Sequence, residues 1–373
     1  MLMRLTNVPR DYAWGSTSLL AELEGQAPAA GPEAEVWFGD HPGDPADLAD
    51  GRTLDAVTGG SLPYLLKLLA AADPLSIQVH PTKEQARAGF ALEAGLSADD
   101  PQRNYRDDNH KPELIAVLSE RFEALAGLRP ADATLRLLAA LDDAAGVQTL
   151  RARLSGDGDV LRDTIGWLLS GDAQTEVDDV IAALAAAESE EFATELRVVR
   201  SVAERYPGDP GVVVALLMNV VVLSRGEGVF LRAGLLHAYV SGLGVEIMAA
   251  SDNVLRGGLT PKHIDVAELL SILDTTPGDV PVLRPEEGPV TTYEVPVPDF
   301  ALRRVELEGV EVPVEVRGSA MVLATAGDIL VRGADGEAVT VPVGTAVFAS
   351  AEERRLVLSG SGEAFVAEPG ATD

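Results

Sequence analysis

Leu75-Ser76-Ile77-Gln78-Val79-His80 alternates in polarity along its length. In an extended strand, Ser76, Gln78 and His80 share one face while Leu75, Ile77 and Val79 point the other way. An amide and an imidazole can therefore reach one ion from a single strand. Ala34-Glu35-Val36-Trp37-Phe38-Gly39 is a second strand-like run in the turn-rich segment before Pro130, and a helical stretch is expected at Leu62 to Ala71.

From about Ala131 to Tyr206 the composition shifts to Ala, Leu, Asp, Glu and Arg with helical spacing, as in Leu135-Leu138-Ala139 and Val177-Ile181-Leu184. Such spacing predicts a helical insertion whose charges form a solvent face, closed by the breaker cluster Tyr206-Pro207-Gly208-Asp209-Pro210. Strand patterning returns after Gly226, in Gly228 to Ala233, the His237 segment and Gly244 to Met248. A short helix is expected at Pro261 to Leu273, capped by Thr260 and carrying the apolar stripe Val266, Leu269, Leu270 and Leu273. Val312 to Val316, Ala320 to Ala324, Val339 to Val343 and Leu356 to Leu358 then follow as short, evenly spaced strands, the pattern of a β-sandwich or barrel. The chain is thus expected to be mainly β with a helical insertion. Its units are residues 1–130 with 211–280, an insertion at 131–210, and a C-terminal β-unit at 281–373.

The 373 residues, 46% of them hydrophobic, suffice for two or three packed units. Near Met1, Arg4, Arg10 and Asp11 interrupt any apolar h-region, so no signal peptide is expected. The apolar run Val212 to Leu223 contains Asn219 and is too short to span a bilayer. A net charge of −30 argues against nucleic-acid or anionic-membrane partners. With no cysteine, there are no disulfides, and a bound metal must use nitrogen and oxygen donors; a cytoplasmic setting is consistent with this.

Five histidines, His41, His80, His110, His237 and His263, each sit in a dense polar motif. Gln78 and His80, Glu113 in Asn109-His110-Lys111-Pro112-Glu113, and His237 in AGLLHAYV offer two imidazoles, a carboxylate and an amide oxygen. That donor set suits a divalent cation with an open catalytic position. The last segment has no histidine and is not expected to carry the metal.

The sequence also resembles the zinc-dependent type I phosphomannose isomerases of the cupin superfamily along nearly its whole length. The resemblance rests on YAWGS at 12–16, AEVWFGDHP at 34–42, LPYLLKLLAAADPLSIQVHPTKEQA at 62–86, NYRDDNHKPE at 104–113 and AYVSGLGVEIMAASDNVLRGGLTPKHIDV at 238–266. It implies a cupin-type double-stranded β-helix (jelly roll) as catalytic domain, an α-helical domain and a second cupin-like β-domain at the C-terminus. It further implies one zinc ion per chain on Gln78, His80, Glu113 and His237, and aldose-ketose conversion of mannose 6-phosphate to fructose 6-phosphate. Such an activity serves carbohydrate metabolism, including GDP-mannose biosynthesis.

Within that resemblance Arg256 carries over as catalytic, its planar fork suiting an enediolate or a fixed substrate. An arginine is a poor proton acceptor, so the base must be another group. Lys111 and Asp252 rank first, followed by Glu246 and His110, which are also expected among the substrate-binding residues. Ser76 and Lys262 are expected at the 6-phosphate, with Lys83 as a third candidate. Trp14 and Trp37 are read as core, His41 and His263 as framework. Gly257 stands where alanine is common in the family, which touches turn stiffness rather than any ligand. The expected partner is a small sugar phosphate, with no nucleic acid and no membrane, and the chain is expected to be a monomer. The rival readings are an isomerase of a related or unphosphorylated sugar, a non-catalytic sugar-binding cupin, and a ferrous cupin oxygenase, against which Gln78 and the Arg256-Lys262 pair count.

Overall fold

The computed structural model describes residues 1–97, 100–286 and 288–371. One long strand, His237–Ala249, organises the site-bearing part of the chain. Its second half lies between Tyr64–Ala71, with Gly242 opposite Ala71 and Ala249 opposite Tyr64, and Glu113–Val117, with Met248 opposite Glu113. Its first half pairs with Phe122–Leu128 and places His237 opposite Gln78. The two halves meet at a bulge between Tyr239 and Ser241, followed by Gly242 at φ 124°. A Cβ at Gly242 would stand 3.0 Å from the Phe122 Cα, so only glycine lets the strand turn from one sheet into the next here.

Tyr64–Ala71 is a strand, which corrects the helix expected at Leu62 to Ala71. All eight residues are buried, and alternate positions enter different cores: Tyr64, Leu66, Leu68 and Ala70 enter one, and Leu69 and Ala71 another. When both faces of a strand are apolar, the period-2 signal vanishes from hydropathy. Lys67 alone betrays it, because it faces a polar cavity from inside this apolar run. In the decisive stretch, only Gln78–Val79 is laddered strand, against Leu255–Arg256, with Arg256 opposite Gln78.

Five helices, from Ala131–Leu138 to Ala193–Arg205, fill the insertion, and a sixth, Pro210–Leu216, leads out of it; this helical layer packs on Ile77, Val79, Leu125 and Leu128. The apolar run from Val212 splits into the end of the last helix and the strand Met218–Leu223. At the breaker cluster, the Asp209 carboxylate accepts from Gly211 N (2.7 Å), Leu259 N (3.0 Å) and Thr260 N (3.2 Å), so one side chain caps a helix and holds the loop after Arg256. The loop approaches that helix closely: a Cβ at Gly258, where φ is 122°, would meet the Gly211 Cα at 2.4 Å. Gly258→Ala is therefore expected to cost about 2–4 kcal/mol, from backbone strain plus overpacking, as a lowered denaturant midpoint at unchanged m-value.

The helix expected from Pro261 begins instead at Val266, where Asp265 accepts from Glu268 N at 3.0 Å. Asp265 takes the capping role assigned to Thr260 and leaves 260–264 as an irregular wall. The C-terminal strands form a second β-unit around Arg355–Glu368, which pairs with Ala301–Glu308 and Ala320–Ala326 over one part of its length and with Val312–Glu315 and Ile329–Arg332 over the other. Its sheet also recruits Leu2–Thr6, with Leu2 opposite Ala349. Leu5 packs with Leu66, Leu302 and Phe365, in one core shared by the two β-units. No helix among the described residues is long and apolar enough to cross a membrane.

Candidate metal centre and its cleft

His80, Glu113 and His237 bring one ligand atom each within 4.8 Å of one another, and all three are buried. The His80 Nδ1–H donates to the Asn253 carbonyl at 2.8 Å and the His237 Nδ1–H to the Leu235 carbonyl at 2.9 Å. Each bond fixes the tautomer and leaves Nε2 as a bare lone pair. Those lone pairs face the carboxylate, His80 Nε2 at 3.2 Å from Glu113 Oε1 and His237 Nε2 at 3.4 Å from Oε2. His80 Nε2 is buried without a hydrogen-bond partner. Acceptors aimed at acceptors repel one another unless a cation lies among them, so the donors fit a divalent metal. Gln78 lines the same cavity of about 60 Å³, as expected of a fourth donor.

Burial pushes the His80 pKa down to about 4, which keeps its imidazole neutral and its Nε2 lone pair free for a metal. For Glu113, burial works upward, but the Lys111 ammonium at 3.1 Å outweighs it and holds the carboxyl well below its ordinary range. Deeper in, Lys67 Nζ stands 3.2 Å from Glu246 and 3.7 Å from Glu35, whose other oxygen accepts from Trp37 Nε1 at 2.6 Å. The Lys67 pKa is raised: burial lowers it, but Glu35, Glu246 and Glu113 prevail. Glu246 is also raised, by burial first and then by Glu113 and Glu35 against the pull of Lys67. Both partners move upward because three carboxylates share this neighbourhood with two ammonium groups. The Tyr239 hydroxyl, in the same cavity, is buried without a hydrogen-bond partner, and burial raises its pKa well above the usual value.

Beside this cavity opens a cleft of about 500 Å³ lined by Arg106, Asp252, Arg256, Lys262 and His263. Burial lowers the pKa of Arg256 and of Lys262; the charge of Arg106 adds to both shifts and that of Arg256 to the second. With Arg103, these three cations outnumber the lining carboxylates Asp252 and Asp265, so the cleft is locally positive in a chain of net charge −30 and suits an anion. Arg256 sits opposite Gln78 across the ladder, so the two compartments adjoin.

The expected residues thus divide between two compartments. Ser76, Gln78, Lys111, Glu113, His237 and Glu246 line the metal cavity, with His80 in its donor cluster. Asp252, Arg256 and Lys262 line the cleft. His110 lines neither; its Nε2 lies 2.8 Å from Asp299 Oδ2 of the C-terminal unit. Lys83 is exposed in the first turn of the helix Lys83–Leu92. Ser76 is within 3.4 Å of the Gln78 amide, in the metal cavity rather than among the cleft cations. Lys67, Tyr239 and Arg106 escaped the sequence reading, although a lone lysine inside LLKLL was a usable signal for the first.

The model of the phosphomannose isomerase type I catalytic domain matches residues 2–131. The mannose-6-phosphate isomerase of Salmonella typhimurium (strain LT2) is 35% identical over 388 aligned positions, covering 97% of this chain and 98% of its own. The Homo sapiens mannose-6-phosphate isomerase is 32% identical over 354, covering 80% and 81%. A crystal structure of mannose 6-phosphate isomerase bound with zinc and yttrium is similar at TM-score 0.88 and 33% identity, over 99% of this chain and 100% of that one. The apo form from Salmonella typhimurium is similar at TM-score 0.87 and 33% identity, over 99% of each chain.

Proposed function

This chain belongs to the type I phosphomannose isomerases, and on that premise we propose that its two adjoining compartments interconvert D-mannose 6-phosphate and D-fructose 6-phosphate through a cis-enediol. It is a zinc-dependent aldose-ketose isomerase. The observation that carries the assignment to this site is the juxtaposition of a buried His80-Glu113-His237 donor set with a cleft whose lining includes Arg103, Arg106, Arg256 and Lys262.

The reaction moves one proton between C2 and C1 and another between the adjoining oxygens. Gln78, His80, Glu113 and His237 would hold the zinc, which would supply Lewis-acid stabilisation of negative charge on a substrate oxygen. Lys262, joined by Arg106, holds the 6-phosphate, and Arg256 extends its fork from the cleft towards the sugar. Lys111 and Glu246 face the metal cavity and are the groups we assign to proton movement. The raised pKa of Glu246 makes its carboxylate the stronger base, which favours it over Asp252. Asp252 is more acidic than an ordinary carboxyl, through its hydrogen bond from His41 first, and then the charges of Lys111 and Lys67 against the effect of burial. We assign it to a sugar hydroxyl, as an anionic acceptor. The 1–130 with 211–280 catalytic unit, the 131–210 insertion and the 281–373 β-unit are the division we adopt, with Leu2–Thr6 lent to the last. We also take the chain to be a monomer in the cytoplasm; the absence of cysteine is consistent with that compartment.

A coupled assay tests it. Mannose 6-phosphate should be converted, chelation should abolish conversion, and added zinc should restore it, whereas unphosphorylated mannose should be a poor substrate. An inert zinc-loaded protein would sink the isomerase reading, and equal rates on both sugars would transfer it to an unphosphorylated substrate.

A further inference from the structure

His41 was expected to be framework, yet its ring reaches the cleft wall. The Gly43 N–H donates to His41 Nδ1 at 3.0 Å, so that nitrogen carries the lone pair and the proton sits on Nε2. His41 Nε2 lies 3.0 Å from Asp252 Oδ2 and 3.1 Å from Oδ1, and donates to that carboxylate. The imidazole side chain is only 13% exposed and the Asp252 side chain 52%, so the clamp is inside and the carboxylate opens outward. Trp37 packs edge-on against the ring at a centroid distance of 4.9 Å, and Trp37 is itself held by Glu35. The backbone of Asp252 is held as well, its N–H donating to Asp107 Oδ2 at 2.7 Å.

We propose that His41 is a positioning residue which holds the Asp252 carboxylate away from the cleft cations and turned to the sugar. Asp252 shares the cleft with Arg256 and Lys262. A half-exposed carboxylate without a second hold is attracted towards such cations, and an Asp252-Arg256 pair would cancel charge required by the phosphate. A neutral N–H donor restrains the carboxylate without bringing a further charge into the cleft. The proposal rests on the isomerase reading and deepens it by assigning a specificity role to a residue outside both proton transfer and metal binding.

The two ring nitrogens have separable substitutes. His41→Asn places an acceptor near the Nδ1 position and keeps the Gly43 turn, but it lacks the donor to Asp252; His41→Gln places an amide N–H near Nε2. His41→Asn is expected to lower kcat/KM for mannose 6-phosphate about tenfold or more, chiefly through KM, while His41→Gln recovers most of it. Zinc content and melting temperature should match the wild type in both. Inorganic phosphate should inhibit the Asn variant more weakly than the wild type, and adding His41→Asn to Asp252→Asn should cause no further loss. Wild-type kinetics in His41→Asn would overturn the proposal, as would an equal fold-loss with and without the Asp252 carboxylate, or a loss that Gln does not relieve. A wild-type protein without turnover would strike the isomerase reading instead, and phosphate binding by the variants would then still report on the clamp.

Discussion

His237→Ala is expected to leave the protein folded, without stoichiometric zinc, and with turnover reduced on the order of 10³-fold or more, since Lewis-acid stabilisation contributes several kcal/mol. The strand His237–Ala249 is held by backbone ladders on both sides, and alanine keeps every one of them. What disappears is one of two Nε2 lone pairs directed at the Glu113 carboxylate. With His80 and Glu113 alone as strong donors, affinity falls and the metal is shared with buffer and chelator. Elemental analysis after dialysis and the coupled assay read the two consequences separately. A variant that retained one zinc per chain at full rate would remove His237 from the metal centre. Melting temperature must be compared in the metal-free state, because zinc adds to wild-type stability by mass action.

Arg256→Ala should give the complementary result: zinc retained, and kcat/KM lowered about 10²–10³-fold, the usual effect of removing a well-placed donor to developing charge. Arg256 lies on the strand opposite Gln78, so its backbone belongs to the scaffold of the metal centre while its side chain faces the cleft. Truncation therefore tests the side chain without loosening Gln78. Lysine at this position should recover only part of the rate, because a single ammonium does not reproduce the planar fork. Full activity in the alanine variant would make Arg256 a spectator and shift the cleft's role to Lys262 and Arg106.

Much of the site could be read from the sequence because its donors come in short, chemically dense motifs. Gln78 and His80 are two residues apart, so an extended chain brings them to one face, although His80 lies just past the laddered pair and is held by the Asn253 carbonyl. What sequence could not place are the residues whose role depends on strands distant along the chain. Lys67 went unread inside a segment expected to be helical, since a strand apolar on both faces has no hydropathy period. Arg106 lies in a motif read for its histidine, while His110 itself turns to Asp299 in the C-terminal unit. Thr260 and Asp265 compete as caps five residues apart, and only the tertiary course of the cleft wall selects the second.

The pairing of Leu2 with Ala349 also bears on how this protein is made. A ribosome releases the first strand long before its partner exists; at about 5–20 residues per second the interval is roughly 20–70 s. Throughout that time Leu2 lacks its ladder partner, while Leu5 can pair with Leu48 but packs in a core still missing Leu302 and Phe365. One edge of that strand therefore stays unmatched and prone to aggregation until Ala346–Ala349 is made, and the core shared by the two β-units closes only then.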